Sequence, residues 1–173
     1  VEGIHHNATS AKNAMKTQAK TADQLNKRGN QASEDMQRLM GLSHKMEEVI
    51  AGSALKSFVE VAKVDHLVFK FRIYLALFDL ENVAPEKVAT HTACRLGKWY
   101  YEGEGKDCFS RLPGYREIEP PHIEVHRMGI QALEAKGRGD PDTMLRHVEA
   151  MEKASSAVID NLQLMSDSAT RDP

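Results

Sequence analysis

Apolar residues recur along this chain at helical spacing, and the pattern changes character near residue 50. From Met46 onward, Leu55, Phe58, Val59, Ala62, His66, Phe69, Ile73 and Leu77 follow one another in steps of three and four. Such steps draw one buried stripe along a helix, and Pro85 places the end of this one near Asn82. A second helix is expected from about Pro85 to Glu102, with Val88, His91, Cys94, Leu96 and Trp99 facing inward, stopped by Gly103-Glu104-Gly105. Residues 103–119 read as an irregular segment. Pro120-Pro121 opens a third helix, where proline is tolerated in the first turn, and this helix carries His122, Val125, His126, Gly129, Ile130 and Leu133. Gly137, Gly139 and Pro141 break the chain. A last helix, capped by Asp140 or Asp142, runs to about Met165 with Met144, Leu145, Val148, Met151, Ala154, Val158, Leu162 and Met165 as its stripe.

Residues 7–50 are different: polar, rich in Ala, Gln, Lys and Met, and free of proline. Two series seven apart, Met15, Ala22, Gly29, Met36, Ser43, Ile50 and Gln18, Leu25, Ala32, Leu39, Met46, form a heptad-like seam. Gly29 and Gly41 each weaken a helix by about 1 kcal/mol relative to Ala, so the arm is expected either to pair with another helix or to be a marginal helix or partly disordered linker. The fold class is therefore all-α: a four-helix bundle over residues 51–168, a coiled-coil-like arm over 1–50 and a short tail over 169–173.

Composition narrows the function. The ten aromatic residues all lie between Phe58 and Tyr115, so the large side chains of the core belong to the middle of the chain. A net charge of −2 gives no electrostatic case for nucleic acid, and no stretch approaches the ~18 apolar residues of a membrane span. The chain opens on Val1-Glu2-Gly3, so it is expected to be cut from a longer protein. Its two cysteines, Cys94 and Cys108, do not make a disulfide framework.

The chemistry that stands out is His122-Ile123-Glu124-Val125-His126. Histidines at i and i+4 share one helical face and can share one ion. Zinc takes about four nitrogen or sulfur ligands, and two further ligands can come from His66 on its apolar stripe, Cys94, or His91 three residues before Cys94. Spacing alone does not choose between His66 and His91. His5, His6, His44 and His147 have no such company and read as surface or arm residues.

Three segments taken in order, Val64-Asp65-His66-Leu67-Val68-Phe69-Lys70, Cys94-Arg95-Leu96-Gly97-Lys98-Trp99-Tyr100 and His122 to His126, closely resemble the chemoreceptor zinc-binding (CZB) domain family. Phe69 stands where that family often carries tryptophan. The resemblance spans roughly residues 55–165 and implies His66, Cys94, His122 and His126 as the zinc ligands, leaving His91 out. It further implies a bacterial cytoplasmic signalling protein, commonly a soluble chemoreceptor carrying this domain at its C-terminal end, or a diguanylate cyclase. Homodimerisation through helices and contact with the chemotaxis kinase complex are expected with it.

Four protein ligands would close the zinc shell and leave no position for a water nucleophile, so a sensor is expected rather than an enzyme. Cys94 is the redox-active ligand, and an oxidant such as hypochlorous acid, or zinc supply itself, is the expected signal. A regulatory domain for a cyclase and a purely structural zinc bundle remain the other readings, and no cyclase signature occurs in these residues. Cys108 is expected to be a bystander.

Overall fold

The computed structural model describes residues 2–169, and among these no strand occurs. Helix α1 spans Glu2–Leu77, α2 Arg95–Glu102, α3 Tyr115–Gly137 and α4 Pro141–Ala169. A 3-10 turn at Pro85–Lys87 and a π-helical turn at Gly105–Phe109 complete the helical elements. The protein is all-α, as the apolar spacing predicts. It divides into two compact units, Val1–Ile50 and Ala51–Pro173. No helix among the described residues is long and apolar enough to cross a membrane.

In the first unit, every residue from Gly3 to Ile50 is exposed, Met15, Leu25, Met36, Leu39, Met46 and Ile50 included. The heptad-like seam thus has no cover within its own unit.

The second unit holds the core. Leu55, Val59, Ala62, His66 and Ile73 are buried on α1, with Phe58, Phe69 and Leu77 partly buried beside them. Opposite stand Ile118, His122, Val125, His126, Gly129 and Leu133 of α3 and Met151, Ala154, Val158, Leu162 and Met165 of α4. Leu145, expected on the α4 stripe, is exposed instead. Gly129 lets α1 and α3 approach closely, because a Cβ there would lie 3.1 Å from the Phe69 ring. On the flank of α1, Glu152 of α4 accepts from Lys70 Nζ at 2.8 Å and from the Tyr74 hydroxyl at 2.5 Å. Aromatic rings close the other end of the core: Phe58 stacks on Trp99 at 4.3 Å and Tyr100 on Tyr115 at 4.4 Å between ring centroids.

Three boundaries differ from the sequence expectation. Helix α1 stops at Leu77 rather than near Asn82. The second helix does not start at Pro85: after a single 3-10 turn, Val88 is extended, a turn follows over 91–94, and α2 begins only at Arg95. Val88, Thr90 and Thr92 are β-branched and poor helix formers, which is why the apolar spacing there does not become a helix. The third helix begins at Tyr115, five residues before the proline pair, after Gly114 turns the chain with a φ of 88°. Pro121 has no N–H for the carbonyl of Glu117, and Asn161 Nδ2 of α4 donates to that carbonyl instead at 3.1 Å. At the start of α4, the Thr143 amide donates to Asp140 Oδ1 at 3.1 Å, so Asp140 is the cap. Ala169, expected in the tail, belongs to α4, and residues 170–173 of that tail lie outside the described residues.

Candidate metal centre

Three elements of the second unit bring chemistry to one point. His66 lies on the buried stripe of α1, and His122 and His126 lie one turn apart on α3. Cys94 is not in mid-helix as expected but is the N-cap of α2. Its sulfur accepts the Gly97 amide at 3.3 Å, while the thiol donates to the His91 carbonyl at 3.4 Å. This hold on α2 requires a glycine at 97, because a Cβ there would overlap the His91 carbonyl oxygen.

Cys94 Sγ and one ring nitrogen each of His122 and His126 lie within 4.8 Å of one another. His122 Nε2 points at the sulfur from 3.2 Å. His126 Nδ1 lies 2.7 Å from the Ala89 carbonyl; a carbonyl can only accept, so Nδ1 carries the hydrogen and Nε2 keeps its lone pair. His66 has the same arrangement. Its Nδ1 donates to the Ala62 carbonyl at 3.1 Å, and its Nε2 is buried with no hydrogen-bond partner.

An unpartnered nitrogen at that depth is costly, and an electron-pair acceptor is what would satisfy it. The spacing of one ion is met by His122 with His126 and approached by His66 with His122, while His66 stands farther from His126 and outside the Cys94–His122–His126 group. Two imidazoles bound through nitrogen at about 2.0–2.1 Å to one tetrahedral zinc have centroids roughly 5 Å apart. The His122–His126 centroids are 5.0 Å apart, those of His66–His122 5.4 Å and those of His66–His126 6.5 Å. A donor set of three imidazoles and one thiol suits zinc.

Electrostatics prepare the nitrogens as ligands. Burial, with the neighbouring histidines second, pushes His122 down to about 2. Burial also pushes His126 down to about 4 against the opposing Ala89 hydrogen bond, and it lowers His66 below 6.5. All three are neutral at pH 7. Burial raises the Cys94 thiol above its ordinary 9.0, against the helix-terminal amides of Gly97 and Leu96 that favour the thiolate.

Of the other sequence candidates, His91 is half-buried at the edge of the cluster, its ring centroid 6.2 Å from that of His122. Cys108 is exposed and both cysteines are free thiols. His5, His6 and His44 are exposed on α1 and His147 is half-buried on α4. Two contributors carried no readable signal. The Ala89 carbonyl that orients His126 comes from main chain, and the ion pair of Arg95 Nε with Asp65 Oδ2 at 2.9 Å, beside both His66 and Cys94, joins residues thirty positions apart.

Residues 66–133 match the model of the chemoreceptor zinc-binding domain family, CZB. The matched segment contains His66, Cys94, His122 and His126. No curated protein and no solved structure matches the chain.

Proposed function

We propose that this chain is the zinc-binding sensory part of a bacterial cytoplasmic signalling protein, with His66, Cys94, His122 and His126 as the four ligands of one Zn2+. The observation that carries the reading is the buried, unpartnered Nε2 of His66, set beside the Cys94–His122–His126 cluster. Bound there, zinc would hold the Cys94 sulfur as a thiolate and tie α1, α2 and α3 at one point. The domain regulates and does not catalyse.

Cys94 is the sensing residue. Its thiolate attacks the chlorine of hypochlorous acid, the O–Cl bond breaks and hydroxide leaves; water then displaces chloride from the sulfur, giving the sulfenic acid and a proton. Sulfur loses two electrons and chlorine gains them. The sulfur then ceases to be a strong ligand while remaining the cap of α2, so the modification acts on the first turn of that helix. The output passes to the rest of a chemoreceptor-like protein and its kinase complex through a homodimer paired along α1. The exposed seam from Met15 to Ile50 supports that pairing, since a helix so long with apolar side chains in water gains most of its stability from a partner.

Trp99, the chain's one tryptophan, sits on α2 and reports the change. Zinc-loaded protein carrying Cys108→Ser should shift its Trp99 emission on adding one equivalent of hypochlorous acid. The Cys94→Ser, Cys108→Ser protein should not. An equal shift in both would end the oxidant reading and leave zinc supply as the signal or the bundle as a purely structural one.

A further inference from the structure

His91 is a fourth imidazole at a centre that needs three. It lies in the turn at 91–94 that leads into Cys94, half-buried, with its ring perpendicular to that of His122 at 6.2 Å between centroids. That is about 1 Å beyond the spacing of two imidazoles on one zinc, and closer than His66 stands to His126.

Its two halves are held differently. The main chain is fixed: the His91 carbonyl accepts from Cys94 Sγ and is packed against Gly97. The ring nitrogens have no hydrogen-bond partner among the described residues, in contrast to Nδ1 of His66 and of His126. The Tyr101 ring, 6.1 Å away, is its other aromatic neighbour. A ring free to turn on an anchored backbone can close a gap of about 1 Å by side-chain rotation alone.

We propose that His91 is a reserve ligand, which takes the coordination position of Cys94 once the Cys94 sulfur is withdrawn from the metal. The inference rests on the zinc reading above. The ligand set then passes from three imidazoles and a thiolate to four imidazoles. Oxidation of Cys94 thereby releases α2 from the metal without emptying the site, and the signal is a change of ligand rather than a loss of zinc.

The test is zinc affinity, by competition with a chromophoric chelator, for the full chain and for His91→Ala, Cys94→Ser and the double variant. Serine keeps a capping oxygen for α2, and helix content by circular dichroism checks that each variant folds. Cobalt substitution gives a second readout, since a thiolate-to-cobalt band appears only when Cys94 is a ligand. His91→Ala alone should bind zinc within about twofold of the unmodified chain. Cys94→Ser should still bind one zinc per chain, lose the thiolate band and keep a four-coordinate cobalt spectrum. The double variant should bind about tenfold or more weaker than Cys94→Ser, at least the loss that removing an outer-shell partner of a metal site causes. Equal affinity of Cys94→Ser and the double variant would overturn the proposal. So would a loss in His91→Ala as large as that in Cys94→Ser, which would make His91 a resident ligand. An unmodified chain that binds no zinc would instead overturn the zinc site itself.

Discussion

Zinc added to the metal-free protein at pH 7 should release about one proton per chain, and that proton should come from Cys94. Metals bind deprotonated ligands, so each ligand protonated beforehand gives up a proton on loading. The imidazoles have none to give: His122 is pushed down to about 2 and His126 to about 4 by burial, and His66 lies below 6.5. Their Nδ1 hydrogens at Ala62 and Ala89 remain in place, because the free Nε2 is the ligand atom. The thiol lies above 9.0 and is protonated at pH 7. Zinc affinity should therefore rise about tenfold per pH unit, roughly 1.4 kcal/mol, from near pH 6.5 up to the thiol's own pKa. Calorimetric titration in two buffers of different ionisation enthalpy counts the protons directly. Cys94→Ser should release about none. Two or more protons at pH 7, or one proton still released by Cys94→Ser, would refute this assignment of charge at the centre.

The metal-free protein should lose stability as pH falls below 6.5, because the unfolded chain takes up protons that buried His122 and His126 refuse. At pH 5 this costs about 2 kcal/mol for each of the two, and coincident denaturant midpoints at pH 7 and pH 5 would contradict it. Gly97→Ala places a methyl against the His91 carbonyl and Thr92 Cα. It should lower stability by about 1–3 kcal/mol and weaken zinc binding, read by thermal melting and chelator competition. Phe71 is 62% exposed on α1, in the same seven-residue series as Ile50. Phe71→Glu should shift a dimer toward monomer in sedimentation velocity without altering zinc content.

The bundle was legible where periodicity was long. The α1 stripe from Leu55 to Leu77 needs only the 3.6-residue repeat, and the α3 pair His122 and His126 needs only its spacing of four. The start of α2 was not legible, because Val88, His91 and Cys94 fit helical spacing equally well in a turn, and nothing in the sequence announces a cysteine acting as a cap. The start of α3 was hidden by Pro120-Pro121, whose cost inside a helix is relieved by Asn161, forty residues away. Spacing could not separate His66 from His91. Burial separates them: His66 is 4% exposed with an orphaned Nε2, while His91 sits half-buried at the margin.

The most direct test of the centre is the metal content of the full chain, purified without chelator, beside His66→Ala. About one zinc per chain is expected, and a content much reduced in His66→Ala after dialysis although the variant keeps its helix content. An unmodified chain without zinc, or a variant that retains it equally, would contradict the four-ligand site.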